Sequence, residues 1–163
     1  MHRFRPTTLV LCITVALLTS CAPSPEEEAL DREEIAETLR EYGRLLSQAY
    51  SFTDPSVLAP VAMPREVNQV ESNIALLADQ GQRIASHQQE LVVEDVRRFQ
   101  GSNAYVTTYE VWDLRLLDVG SEREISRDDD QQSRVRYHVK IGDDGDWKVV
   151  WRQRLDDDAA GGP

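Results

Sequence analysis

Residues 103–117, NAYVTTYEVWDLRLL, constrain the fold more than any other stretch, because β-branched and aromatic side chains recur there with no glycine or proline to break the run. One face carries Ala104, Val106, Thr108, Glu110, Trp112, Leu114 and Leu116, and the other carries Tyr105, Thr107, Tyr109, Val111, Asp113 and Arg115. A run with an amphipathic set on each side reads as the central strand of an antiparallel sheet. Glu110 is its anomaly, a carboxylate between Thr108 and Trp112 on a face otherwise suited to burial.

Such a strand needs neighbours on both sides and a layer over one face. Upstream, Ile35, Leu39, Tyr42, Leu46 and Ala49 recur at helical steps, giving a long first helix one buried stripe while Arg32, Glu37, Arg40 and Glu41 face water. Ser24, Pro25 and the acids at 26–28 form a helix start, and Asp31 with Glu34 forms a competing one. Asp54 and Pro55 open a short second helix that Pro60 cuts off. Met63 and Pro64 open a third, along which Val67, Val70, Ile74 and Leu77 keep helical spacing. This third helix is expected to pass Gly81 and reach Ile84, with Gln80, Gln82, Gln88 and Gln89 as its solvated far end.

The period changes near Leu91. Residues 91–99 read as a first strand, and Gly101, Ser102 and Asn103 as the turn into the central one. Residues 118–132, with Glu122, Arg123, Glu124 and Asp128 to Asp130, are too charged for a core and read as a long exposed loop. Val135, Tyr137, Val139 and Ile141 then alternate with Arg134, Arg136, His138 and Lys140 before Gly142, Asp143, Asp144 and Gly145 reverse the chain. Trp147, Val149, Trp151 and Leu155 are expected to form the inward face of a last strand, opposite Lys148, Arg152 and Arg154.

Residues 1–20 begin basic, with His2, Arg3 and Arg5, and run apolar from Leu9 to Leu18, which is too short to span a bilayer and suits an export signal. Leu18, Thr19, Ser20 and Cys21 resemble the lipobox of bacterial lipoproteins, and that resemblance implies a mature chain that starts at Cys21 and carries lipid there. The alternative is an ordinary secreted protein cut nearby, with a free thiol. Cys12 leaves with the leader, so no disulfide forms and the domain must be held by its core. Removing 20 of the 163 residues leaves 143, and the loss of Arg3 and Arg5 moves the net charge from −11 to −13. The expected organisation is a tether at 21–25, one domain at 26–156 and a disordered acidic tail at 157–163. A surface this acidic repels nucleic acid and anionic headgroups, so the expected link to a bilayer is acylated Cys21 alone. Ala22 is not the aspartate that resembles an inner-membrane retention signal, so in a double-membrane organism the periplasmic face of the outer membrane is expected.

Two long helices and a short one, followed by a four-stranded antiparallel meander, make an α+β domain with the helices on one face of the sheet. On Ala104, Val106, Thr108, Glu110 and Trp112, and on the Asp144, Gly145, Asp146, Trp147, Lys148, Val149 turn, the chain resembles the NTF2-like, cystatin-like superfamily, in which a curved sheet wraps helices into a cone. These strings are most similar to non-enzymatic domains of bacterial envelope proteins and of a plastid-division scaffold, which implies a role in protein contact. Enzymatic members such as ketosteroid isomerase and SnoaL-like cyclases place an acid or histidine base in a pocket between helices and sheet. No acid and histidine pair falls on the predicted inner faces here.

A buried Glu110 must be hydrogen-bonded or paired, or it protonates. Tied to an indole, a tyrosine hydroxyl or an arginine it is structural; facing an open pocket with Thr108 and Tyr137 it is a candidate base. His87 and His138 fall on different elements, and the Asp143, Asp144, Gly145, Asp146 string lacks the later glutamate of a calcium loop, so no metal is expected. No catalytic or phosphate-binding motif is present, and no cofactor is expected. Arg134, Arg136, Lys140, Lys148, Arg152 and Arg154 are all predicted on the outer sheet face. They form either a solvated face with cross-strand acids or a docking surface for an acidic envelope protein or anionic polymer. The expected role is therefore a membrane-tethered, non-enzymatic interaction or scaffold module. A small-molecule binder or SnoaL-like enzyme with a cone-shaped pocket around Glu110 is the alternative.

Overall fold

A computed structural model describes residues 25–155, with side chains from Ala29 onward. The expected leader, the Cys21 lipid site, the Ser24 cap and the tail lie outside these residues. Helix α1 (Pro25–Phe52) buries the expected stripe of Ile35, Leu39, Tyr42, Leu46 and Ala49. A 3-10 helix (Pro55–Leu58) follows, its first turn held by the Asp54 carboxylate, which accepts from the Ser56 N–H at 3.0 Å. Helix α2 (Pro64–Asp79) comes next. No helix among the described residues is long and apolar enough to cross a membrane.

Helix α2 stops short of the expected Ile84. Gly81 takes φ +67°, the left-handed conformation that ends helices, and strand β1 (Gln82–Phe99) begins directly after it. Ile84, Gln82, Gln88 and Gln89 thus lie in a strand, where pairs such as Ile84 with Leu116 and Gln88 with Trp112 put the backbone into a ladder with β2 (Asn103–Asp118). The four strands are antiparallel in the order β1-β2-β3-β4.

The expected loop at 118–132 is also mostly strand. Strand β3 (Glu124–Ile141) starts early and pairs Asp128 with Leu114 and Gln131 with Trp112. Strand β4 (Trp147–Arg154) reaches only as far as Val135 opposite Arg154, so residues 124–132 form an open sheet edge. Charge along such an edge discourages pairing with other chains and hides the strand from a search for apolar alternation.

Helices and sheet share one core, in which Tyr42, Leu39, Leu58, Val70, Val106, Tyr137, Val139 and Val149 are almost fully enclosed. The expected inward residues Ala104, Trp112, Val135 and Trp147 join them, but Trp151 does not. In β4, Val149 faces Val139, yet Trp151 faces His138 and Arg152 faces Tyr137, so Val150 is one residue too many for its partner strand. Beyond this bulge every side chain changes face. Trp151 moves to the outer side, while Arg152 and Arg154 turn inward, the reverse of the expectation from strict alternation. Beside the bulge the linker before α2 clasps the strand: Met63 N–H donates to Val149 O and Val149 N–H to Val61 O, both at 2.8 Å.

Candidate functional site

Alternation along β2 delivers Thr108, Glu110 and Trp112 to the inner face, and β3 adds Tyr137 beside them. Glu110 has no accessible surface. Its Oε1 accepts from the Thr108 hydroxyl at 2.7 Å and the Tyr137 hydroxyl at 2.8 Å, and its Oε2 accepts from the Trp112 indole at 2.8 Å. These are charge-assisted bonds to a carboxylate inside the core. A second acid that sequence patterning does not single out, Glu66 on α2, is also enclosed and accepts from the Tyr42 hydroxyl at 2.5 Å. Tyr42 and Tyr137 meet edge to face at 6.0 Å, which joins the two carboxylate clusters. Burial, aided by the neighbouring acids, pushes both phenols well above their ordinary pKa, so both stay protonated donors.

The bulge brings Arg152 to this cluster. Its Nε lies 3.8 Å from Glu66 Oε1, with 31% of the side chain accessible. Burial works against its charge, but Tyr42, Tyr137 and Glu66 outweigh that effect and raise its pKa. A cavity of about 170 Å³ opens here, walled by Leu46, Tyr50, Ile84, Trp112 and Leu114, with Arg152 and Arg154 on one side. It is smaller than the roughly 300–1,000 Å³ of drug-sized sites. It reaches Glu110, whereas Thr108 and Tyr137 do not line it, so the expected pocket trio is not brought together around open space. Among the described residues no group of histidine, cysteine and acid side chains could hold a metal ion.

The outer face carries a second constellation. Of the six basic residues expected there, Arg134, Arg136, Lys140 and Lys148 alternate outward, while Arg152 and Arg154 do not. Arg134 pairs with Glu94 at 3.1 Å and Lys148 with Asp144 at 2.6 Å. Arg136 makes no ion pair among the described residues. Cross-strand pairing aligns Arg97, Tyr105, His138 and Trp151 in one row over all four strands, and Asp95, Thr107, Arg136 and Gln153 in the next. Phe99 stacks on Tyr105 at 4.5 Å, and Tyr105 lies 5.5 Å from His138 and 6.0 Å from Trp151. Partial burial, with the positive charges of Arg65 and Lys140, lowers the pKa of His138. These rows floor an open groove of about 450 Å³ lined by Asp95, Arg97, Tyr105, Thr107, Arg136 and Trp151. Tyr105 and Arg97 are legible as outward residues of their strands, but Trp151 is hidden by the bulge.

No family model matches this chain, and no curated protein matches it either. Solved structures do. The chain is similar to the intermembrane space region of the chloroplast protein ARC6, at 19% identity over 76% of this chain and 95% of that one, with a TM-score of 0.66. It is similar to a periplasmic fragment of TraM, at 10% identity over 76% and 96% of the two chains, with a TM-score of 0.54. An NTF2-like superfamily protein from Salmonella enterica serovar Typhimurium matches at 11% identity over 78% and 91%, with a TM-score of 0.53. Two helices on a four-stranded antiparallel sheet, with these neighbours, make the fold of this chain NTF2-like.

Proposed function

We propose that this chain is an exported lipoprotein, anchored through acylated Cys21, whose α+β domain is a non-enzymatic protein-interaction module of the cell envelope. In an organism with two membranes it sits on the periplasmic face of the outer one. What carries this function is the uncovered outer sheet face, where exposed rings and guanidinium groups lie together in a chain of net charge −11. Aromatic and arginine side chains are the types that anchor protein interfaces. The interior supports the same conclusion, since both carboxylate oxygens of Glu110 are already taken by three donors. Two of the neighbours, an intermembrane-space region and a periplasmic fragment, come from compartments bounded by membranes, in line with the leader and lipobox.

A second reading, a carrier of a small amphipathic molecule, draws on the 170 Å³ cavity, where Arg152 faces an apolar wall. It predicts a molecule that remains bound in native mass spectrometry and is displaced when Ser86, which also lines the cavity, is replaced by the bulkier ring of Ser86→Phe.

Two experiments test the proposed function. Metabolic palmitate labelling should mark the wild type and not Cys21→Ala; equal labelling removes the lipid anchor. A photo-crosslinking residue placed at Gln153, on the outer face, should give discrete high-mass products in envelopes, whereas the same residue at the exposed Ala75 of α2 should not. Identical products from both positions, or none from either, would exclude the sheet face as an interaction surface.

A further inference from the structure

We propose that the outer groove recognises an acidic peptide segment bearing an aromatic side chain, with the ring seated against Tyr105 and Trp151 and the adjacent carboxylate held by Arg136. This rests on the proposed role as an interaction module and names the class of partner.

The first support is geometric. Tyr105, His138 and Trp151 are direct cross-strand partners, so their spacing is fixed by three hydrogen-bonded strands rather than by loops. Tyr105 keeps 42% of its surface exposed, and Trp151 lines the same groove. A platform of rings held this way loses little freedom when a partner covers it.

The second support is the bulge. Were Val150 an ordinary paired residue, alternation from Val149 would send Trp151 into the core and Arg152 out. The extra residue interrupts the ladder and re-aims an indole into the groove, the use to which bulges are put beside binding sites.

The third support is charge. The groove holds Arg97 and Arg136 against a single acid, Asp95, which is already engaged by Arg97 at 2.7 Å. Arg65 and Lys140 add positive potential at His138. Arg136 is therefore the guanidinium with capacity to receive a carboxylate in bidentate fashion. A neutral glycan fits less well, since sugar hydroxyls call for acceptors and the one carboxylate of the groove is in use.

The test uses the full chain in detergent micelles and fluorescein-labelled nonapeptides of three compositions: alternating Asp and Phe, alternating Asp and Gly, and alternating Asn and Phe. Fluorescence anisotropy should show the Asp/Phe peptide binding at least about tenfold more tightly than either half-probe, a tenfold step being about 1.4 kcal/mol. Arg136→Gln should abolish the preference for Asp over Asn, and Trp151→Ala the preference for Phe over Gly. Arg136 is exposed, so its variant keeps the test valid if Trp151→Ala folds poorly. Equal binding of the three peptides, variants that discriminate like the wild type, or stronger competition by polygalacturonate than by the unlabelled Asp/Phe peptide would overturn the assignment. So would anisotropy that follows self-association of the protein in sedimentation. Loss of peptide discrimination with crosslinks at Gln153 intact removes the partner class alone; loss of those crosslinks removes the interaction role as well.

Discussion

Replacing Glu110 with alanine removes the acceptor of three buried donors at once. The Thr108 hydroxyl retains a second acceptor, Val135 O at 3.3 Å, but the Tyr137 hydroxyl and the Trp112 indole have no other acceptor among their described hydrogen bonds. Each buried donor left without a partner costs about 1–3 kcal/mol, so the pair accounts for about 2–6 kcal/mol. Removing a buried charge returns part of its desolvation cost, and the expected net loss of stability is about 2–4 kcal/mol. Glu110→Gln keeps the shape and one carbonyl acceptor but turns an amide donor toward the indole, for an expected loss of about 1–3 kcal/mol. Urea titration at pH 7 with equal slopes for all variants measures both. A cycle with Tyr137→Phe should give a coupling of about 0.5–3 kcal/mol, because the two groups share one bond. Loss of less than about 1 kcal/mol in Glu110→Ala would show that the carboxylate does not anchor the core. A Glu110→Gln variant more stable than wild type would show that the acid is kept at a cost in stability, as functional acids are, and would reopen the enzymatic alternative.

Trp147→Ala should cost about 3–5 kcal/mol, since Trp147 is 4% exposed, while Trp151→Ala should cost under about 1.5 kcal/mol in the same titration because its ring lies on the outer face; equal losses would contradict the bulge. Arg152→Glu should destabilise by about 2 kcal/mol, below the 3–5 of a fully buried pair because Arg152 is partly accessible and 3.8 Å from Glu66, and an unchanged urea midpoint would place the side chain in solvent. The lowered pKa of His138 means the unfolded chain binds its proton more readily. Its contribution is thus fully present above the unfolded pKa of about 6.5 and is lost as pH falls toward the native value. Proton NMR should give a His138 midpoint below 6.5, and His138→Gln should flatten stability between about pH 7 and 5; a midpoint above 6.5 would reverse the sign. Reversing Arg97 and Arg136 to Glu should slow association with envelope partners while leaving folding intact, and wild-type binding should fade as salt shortens the Debye length from about 10 Å at 0.1 M to about 3 Å at 1 M; salt-independent binding would exclude electrostatic steering.

Helix α1 and the inner half of the sheet are legible in the sequence because one face of each is buried and the other is not. Ile35 to Ala49 and Ala104 to Trp112 carry that contrast at the period of their own element. The legibility fails where burial does. Residues 124–130 are exposed throughout, so no apolar rhythm marks them as strand. The first half of β1 carries few apolar residues, and its one clear signal, Gly81, reads as a flexible joint within a helix although it also suits a helix end. Glu110 stands out as an acid among apolar neighbours. Glu66 does not, because one glutamate in the first turn of a helix is what the helix dipole favours anyway. The groove is illegible for a different reason: strict alternation from Trp147 to Leu155 puts Trp151 inside, and nothing in the local composition announces Val150 as an extra residue.

That extra residue makes parity a heritable property of the last strand. Counted from Trp147, the inward Arg152 stands at an odd offset and the outward Trp151 at an even one, the opposite of an uninterrupted strand. Deleting Val150 alone would restore an uninterrupted ladder and leave the indole outside and the guanidinium inside, because Trp151 would then directly follow the inward Val149. Removing Val149 together with Val150 would instead exchange the indole and the guanidinium across the sheet, stripping the outer rings and unpairing Glu66 in one step. A related chain one residue shorter at this point is therefore expected to keep its tryptophan outside and its arginine inside on a regular ladder, whereas one shorter by two is expected to have moved both by one position.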